Sequence, residues 1–331
     1  MAIKSIEVKN FTVFENFKCE FSPSINLFIG ENGTGKTHLL KLLYAAAIRH
    51  AGNELPLLTR LFGNNFRIEG LQTFQINDNP PEMLGGSIFA GFTDANGNIA
   101  SSMPDASIKV MLDTNCPPAF IPAKEFLSMA ELTRVADEYK KKLGIDMTIL
   151  DIIEKAKKLM PDKLSPFAQK IANKLEDEFG GEVFFDEKDE TFWVYKHDGT
   201  KVPFTSEAEG YKKLGLLWQL VMNRSIKENM VLFWDEPDAN LNPKLMPVVV
   251  EILVEMARNG VQIFLATHDY NLMKYFGIKK QDADQVCFHG FYKTEDGSVK
   301  CDTKSDYQLL KHNPIIEANI QLLEDIYNDE P

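Results

Sequence analysis

The sequence is poor in several features that would mark a special class of protein. It has four cysteines in 331 residues, Cys19, Cys116, Cys287 and Cys301, with no C-x-x-C pair among them. That spacing argues against a disulfide framework or a zinc site and predicts reduced thiols in a cytoplasmic protein. The six histidines show no H-x-x-x-H or comparable spacing, so no structural metal is expected. No apolar run approaches the roughly 18 residues needed to span a bilayer, and mean hydropathy is -0.22, so no membrane association is expected. The first residues, MAIKSIE, run straight into alternating sequence with no apolar signal region. There is no internal repeat, low-complexity tract or sustained heptad pattern. Positive charge is also in deficit: 36 Lys and Arg against 48 Asp and Glu leave a net charge of -12. A broad, salt-driven nucleic-acid surface is therefore not expected, although a local DNA contact stays open. The most basic stretch, Lys140 to Lys163, is diluted by Asp146, Asp151, Glu154 and Asp162, and reads as solvated helix faces.

What is present is strongly patterned. Residues 3–8 and 16–21 alternate apolar and polar positions like half-buried strands, and 24–29 (SINLFI) is a buried strand halted by Gly30. Residues 36–50 are rich in helix formers without a breaker. Short apolar runs in 51–118, separated by NDNPP, DANGN and DTNCPP, predict antiparallel strands of a side sheet. AFIP (119–122) reads as a core strand, and 124–178 as helical, broken at Gly144 and at LMPDKLSP. A hairpin over 182–204 follows, with turns at Glu187–Asp189 and at Asp198-Gly199. Then come a helix over 207–223, a buried strand at 230–234, an amphipathic helix at 244–258 and a second buried strand at 261–267. The tail reads as a strand pair and a short helix. Strand–helix alternation predicts an α/β fold with a mostly parallel central sheet, an antiparallel side sheet and a helical insertion. The expected division is 1–120, a helical insertion at 121–180, and 181–331.

Three stretches carry chemistry. In FIGENGTGKTHLL, Gly30, Gly35, Lys36 and Thr37 have the spacing G-x-x-x-x-G-K-[ST] of a phosphate-binding loop. Its members are Gly30, Glu31, Asn32, Gly33, Thr34, Gly35, Lys36, Thr37 and His38. Backbone N–H groups from Asn32 to His38 and the following helix N-terminus suit phosphate oxygens. Lys36 would reach the β- and γ-phosphates, and the Thr37 hydroxyl would ligate Mg2+. In VLFWDEPDANLNP, an apolar strand ends in Asp235, where a carboxylate can hold the metal, and Glu236 follows to orient a water. In LATHDY, His268 follows a buried strand at the sheet edge where ligands bind.

Together GENGTGKT, the strand ending in DEP with DANLNP, and ATHD resemble the ATPase heads of the ABC superfamily. The resemblance is to the soluble SMC, RecF and OLD-like branch, whose N-terminal strands and "NF" element are also matched, over roughly 1–50 and 205–275. FIPAKEFLS (120–128) is similar to a segment of AAA-type ATPases of prokaryotic defence systems. The resemblance implies a P-loop NTPase using ATP and Mg2+. It implies Asp235 as the Walker B carboxylate, Glu236 as catalytic base, His268 as switch histidine and Asp238 as a D-loop contact to a partner protomer. It also implies a head-to-head homodimer, or a higher oligomer, in which the signature segment of one protomer caps ATP held by the other. Here that segment is TSEAEGYKKLGLLWQL, with Glu209 and Gly210 as its contact residues. Ala208 stands where serine is usual and Tyr211 where glutamine is, which implies either slow turnover or reliance on the Ser206 hydroxyl instead. Gln72 and Gln75 are the Q-loop candidates.

The leading expectation is a Mg2+-dependent ATPase whose ATP-driven dimerisation gates a separate effector, in DNA-related or anti-phage defence work. A non-hydrolysing ATP-gated scaffold or sensor and a P-loop kinase remain as alternatives.

Overall fold

The computed structural model describes residues 2–50, 73–76, 107–113, 117–134 and 145–328. The continuous apolar runs become the centre of its main sheet. β3 (Ile25–Gly30), β10 (Val231–Asp235) and β11 (Gln262–Thr267) are buried at every position. They lie in a six-stranded sheet with β6 (Ala119–Ile121), β12 (Val286–Lys293) and β13 (Val299–Lys304), in the order β13-β12-β3-β11-β10-β6. All neighbours run parallel except β12 and β13, which form an antiparallel edge pair. Strands buried on both faces need cover on both faces, which is why these runs do not alternate.

The two faces are covered differently. On one lies α1 (Lys36–His50), together with a sheet of order β2-β1-β5-β4. These strands are β1 (Ala2–Phe11), β2 (Phe14–Glu20), β4 (Thr73–Ile76) and β5 (Ser107–Asp113). Phe28, Phe233 and Phe264 of the main sheet share a core there with Leu39, Leu43, Ile6 and Val110. On the other face lie α2 (Met147–Ala156), α3 (Pro166–Phe179), α4 (Glu209–Met222), α5 (Met246–Arg258) and α6 (Tyr270–Lys279). Their core takes the alternate positions Ile25, Leu27, Ile29, Leu232, Trp234, Ile263 and Leu265. The helical segment is tied to the loop helix: Lys41 and Tyr44 of α1 bond Asp146 and Asp151. Its ends follow local chemistry. Ser165 caps α3 ahead of Pro166, and Gly180 closes it with φ +72°.

The sequence expectations hold for the main sheet and differ elsewhere. β1–β2 and β1–β5 are antiparallel, but β4 runs parallel to β5. The turn signals NDNPP and DANGN in the connection did not show this pairing, because β4 and β5 are thirty residues apart in the sequence. The expected strand GSIFAGFTD and the break at Gly144 lie outside the described residues. Leu127–Arg134 is a 3-10 helix kinked at Met129. The hairpin gains a third strand: β7 (Gly181–Asp186), β8 (Thr191–Lys196) and β9 (Lys201–Pro203) form an antiparallel meander. α6 was not expected; it begins at Asp269, whose carboxylate accepts from the Leu272 N–H at 2.6 Å. The C-terminal helix α7 (Pro314–Asn328) is 15 residues long. No helix among the described residues is long and apolar enough to cross a membrane.

Candidate functional site

β3, β11 and β10 are adjacent, so the segments that leave their C-terminal ends meet. They surround a cavity of about 240 Å³. Asn32, Gly33, Gly35, Lys36, Thr37 and His38 line it from the loop, Asp235 and Glu236 from β10, Ala266 and His268 from β11, and Val13 from the β1–β2 turn. Glycine is required at position 35. Its φ is +85°, and a Cβ there would stand 2.6 Å from both Phe14 Cζ and Val13 Cγ2. At position 30 a Cβ would meet the Phe291 carbonyl oxygen at 2.5 Å.

Burial sets the electrostatics. Lys36 is 5% exposed, and its Nζ donates to the carbonyls of Gly30 and Glu31, each at 2.8 Å. Burial lowers its pKa to about 8 against the pull of Asp235, Glu236 and Glu31. The Thr37 hydroxyl lies 3.1 and 3.0 Å from the two carboxylate oxygens of Asp235. Burial raises Asp235 to about 6, with Glu236 adding to the rise and the Thr37 hydrogen bond opposing it. A hydroxyl and a carboxylate converging in this way make the hard oxygen donor set that Mg2+ prefers. His268 Nε2 is 3.9 Å from Glu236 Oε1. Burial, then the charge of Lys36, lowers its pKa, so the imidazole is neutral near pH 7 and one ring nitrogen can donate.

Glu236 has φ +46°, a left-handed conformation uncommon outside glycine. Its N–H donates to the Ala266 carbonyl at 2.9 Å, and Lys213 Nζ donates to the Glu236 carbonyl at 2.8 Å. Lys213 is 4% exposed; burial lowers it to about 8 against Asp238, Glu236, Asp235 and Glu209. Sequence reading missed Lys213. The second of two lysines after Glu-Gly was its only signal. Val13 was missed as well, since nothing local places a turn valine over the loop.

The structure thus brings Asn32, Gly33, Gly35, Lys36, Thr37, His38, Asp235, Glu236 and His268 to one cavity. Other expected residues stand outside it. The Thr34 hydroxyl donates to the Glu31 carbonyl at 2.8 Å, inside the loop. Glu31 lines a neighbouring open cleft with Tyr292 and His312. Asp238 accepts from Thr267 Oγ1 at 2.6 Å, behind His268. Glu209 and Gly210 open α4 and do not line the cavity; a Cβ on Gly210 would face the Asn240 carbonyl oxygen at 3.4 Å. Ala208, the residue before α4, makes no side-chain cap. Gln75 lies in β4, paired in register with Lys109, and Gln72 lies outside the described residues. Three residues without ligand spacing in the sequence nevertheless meet in the fold. Cys19, His289 and Cys301 put their ligand atoms within 4.8 Å of one another. Sequence spacing could not show this because the three come from three strands.

Known proteins match the same segments. The family model described as "AAA domain, putative AbiEii toxin, Type IV TA system" matches residues 145–274, and the "AAA ATPase domain" model matches residues 1–69. The first range holds Asp235, Glu236 and His268, and the second holds the loop. The DNA replication and repair protein RecF of Lactococcus lactis subsp. cremoris is 36% identical over 73 residues, 22% of this chain and 20% of its own. RecF of Listeria welshimeri is 48% identical over 48 residues, 14% of this chain and 13% of its own. The chain thus spans a fifth or less of these curated relatives. An SmcHead bound to the C-winged helix domain of ScpA superposes with a TM-score of 0.52 at 14% identity, covering 93% of this chain and 99% of that one. The Smc head of Pyrococcus furiosus bound to the C-terminal domain of ScpA gives 0.50 at 12%, covering 98% and 99%. With AAA-type family models matching segments on both sides of the cavity and an Smc-head-like fold over nearly its whole length, the chain is similar to ATPase heads of the SMC/RecF-like type.

Proposed function

We propose that the chain binds ATP with Mg2+ and hydrolyses it in a site completed by a second copy of itself. The observation that carries this reading is the convergence of Lys36, Thr37, Asp235, Glu236 and His268 on one cavity. Thr37 Oγ1 and the Asp235 carboxylate would hold Mg2+, which neutralises charge on the β- and γ-phosphate oxygens. Loop N–H groups and Lys36 bind and orient the phosphates. Glu236 accepts the proton of a water as its oxygen bonds the γ-phosphorus and the bond to the β,γ-bridging oxygen breaks. ADP and phosphate leave. Neutral His268 donates a hydrogen bond toward the γ-phosphate.

The dimer rests on two features. The cavity, at about 240 Å³, is smaller than the roughly 300–1,000 Å³ of sites that enclose a ligand. Gly210 packs against the Asn240–Asn242 turn, and neither it nor Glu209 lines the cavity. In this reading Asp238, Glu209 and Gly210 meet the partner's nucleotide. Named relatives favour a separate effector, DNA-linked or defensive: RecF is a DNA replication and repair protein, an Smc head binds ScpA, and one matching family carries a toxin description.

Glu236→Gln tests the reading. Phosphate release should fall about 10²-fold or more, while ATP stays bound and a dimer accumulates in size-exclusion chromatography. Unchanged phosphate release sinks it. A second reading, an ATP-gated scaffold that does not hydrolyse, is favoured by the missing hydroxyl at Ala208. It predicts ATP-dependent dimers with no phosphate release from the unmodified chain.

A further inference from the structure

On the face of the main sheet that carries α1, three side chains remote in sequence converge. Cys19 comes from β2, His289 from β12 and Cys301 from β13. Cys19 Sγ stands 3.4 Å from His289 Nδ1. In a tetrahedral site with zinc–sulfur near 2.3 Å and zinc–nitrogen near 2.0 Å, those two atoms stand roughly 3.5 Å apart. The pair therefore already has the spacing of two ligands on one ion. Cys19 is 4% exposed and His289 0%.

The hydrogen bonds of His289 decide which nitrogen faces the sulfurs. Asn26 Oδ1 accepts from the Ser22 N–H at 2.8 Å, and Asn26 Nδ2 donates to the Ser22 carbonyl at 2.9 Å, which fixes the amide orientation. His289 Nε2 lies 3.1 Å from that same Asn26 oxygen, so Nε2 carries the proton. Nδ1 is left with a lone pair turned to Cys19 and, at 2.8 Å, to Thr303 Oγ1. Histidines that bind metals are oriented in this way, with the other ring N–H held by an oxygen acceptor. Cys301 Sγ lies within 4.8 Å of both the Cys19 sulfur and the His289 ligand nitrogen, and 3.8 Å from Thr303 Oγ1. Cys301 is only partly buried, which leaves an entry path for an ion.

We propose that Cys19, His289 and Cys301 bind one thiophilic divalent cation of the zinc class, with the fourth position taken by the Thr303 hydroxyl or a water. Each ligating thiol gives up its proton to solvent, so uptake of the ion releases two protons. The ion would clasp β2 of the antiparallel sheet to the β12–β13 edge of the parallel one. That edge abuts the phosphate loop, since Phe291, two residues beyond His289, pairs with Gly30. The site is structural, and it stands whether or not the chain hydrolyses ATP.

The test uses the full chain, purified under reduction and stripped with a chelator. Added Co2+ should produce thiolate-to-cobalt charge-transfer absorption and tetrahedral visible bands, which Zn2+ then bleaches at about one ion per chain. Zinc should also raise the thermal midpoint. Cys301→Ser should weaken zinc binding by more than about tenfold. Cys287→Ser, on the strand of His289 but outside the cluster, should leave it intact. A chain that unfolds cooperatively, titrates as fully reduced and takes up neither cobalt nor zinc overturns the proposal. So does quantitative formation of a Cys19–Cys301 disulfide in the presence of zinc.

Discussion

The loop end of the site and the α4 end differ in how much of their chemistry one chain satisfies. At the loop end, buried charges already pair: Lys36 with two carbonyls, Thr37 with Asp235, and Lys213 with the Glu236 carbonyl. At the other end Ala208 caps nothing, the Glu209 side chain is 54% exposed, and Gly210 is buried against the Asn240–Asn242 turn. A half-site built for its own ligand is dense and polar inside. A half-site built for someone else's ligand is open and smooth, because any side chain there would obstruct the approach. The contrast suits the proposed site shared between copies.

The strongest way to break that comparison is complementation. Lys36→Ala and Gly210→Asp should each lower ATP turnover about 10²–10³-fold. Mixed in equal amounts, they should recover to about a quarter of the unmodified rate, because half the dimers then hold one intact composite site of two. A mixture no more active than its parts would mean that both ends act within one chain.

A smaller effect reports on the loop end alone. Burial holds Asp235 at about 6 in the folded chain, against an ordinary 3.8. The folded state thus binds this proton more tightly than the unfolded one. The group's contribution to stability is full below pH 3.8 and is lost as pH rises through about 6. Asp235→Asn should accordingly stabilise the chain, without nucleotide or Mg2+, by about 2–3 kcal/mol at pH 7. Urea melts should show the gain closing as pH falls toward 4. A destabilised variant at pH 7 would contradict the burial argument.

The smallest effect probes the other end. Ala208→Ser supplies an N-cap hydroxyl and should stabilise α4 by about 0.5–1 kcal/mol, read from the thermal midpoint. If that hydroxyl also meets a partner's phosphate, turnover rises a few-fold; a stability gain with unchanged turnover confines its role to the cap.

The two ends were also unequally legible in sequence. The loop, Asp235-Glu236 and His268 could be read because each sits at a strand end fixed by a handful of neighbours. The apolar runs before them had to be buried, and buried parallel strands deliver their C-termini to one edge. Lys213 and Val13 could not be read, since each meets the site across a long sequence separation. The parallel pairing of β4 with β5 is of the same kind. So is the Cys19–His289–Cys301 cluster, whose members show no ligand spacing because the fold, not the chain, brings them together. α6 was hidden for a local reason: its core residues Leu272, Met273 and Phe276 make too brief a period beside a stronger strand.

The left-handed backbone at Glu236 has a consequence for how this position can vary. Such a conformation costs a non-glycine residue on the order of 1 kcal/mol or more, and glycine would relieve it while deleting the carboxylate. Chemistry and conformation therefore pull against each other at one residue. Lys213 holds the position from outside the cavity, donating to the Glu236 carbonyl without itself lining the cavity. In the proposed reading the aim of the carboxylate is delegated: one side chain would react, and a second, 23 positions earlier, would keep it on target. Positions 213 and 236 should consequently drift together or not at all.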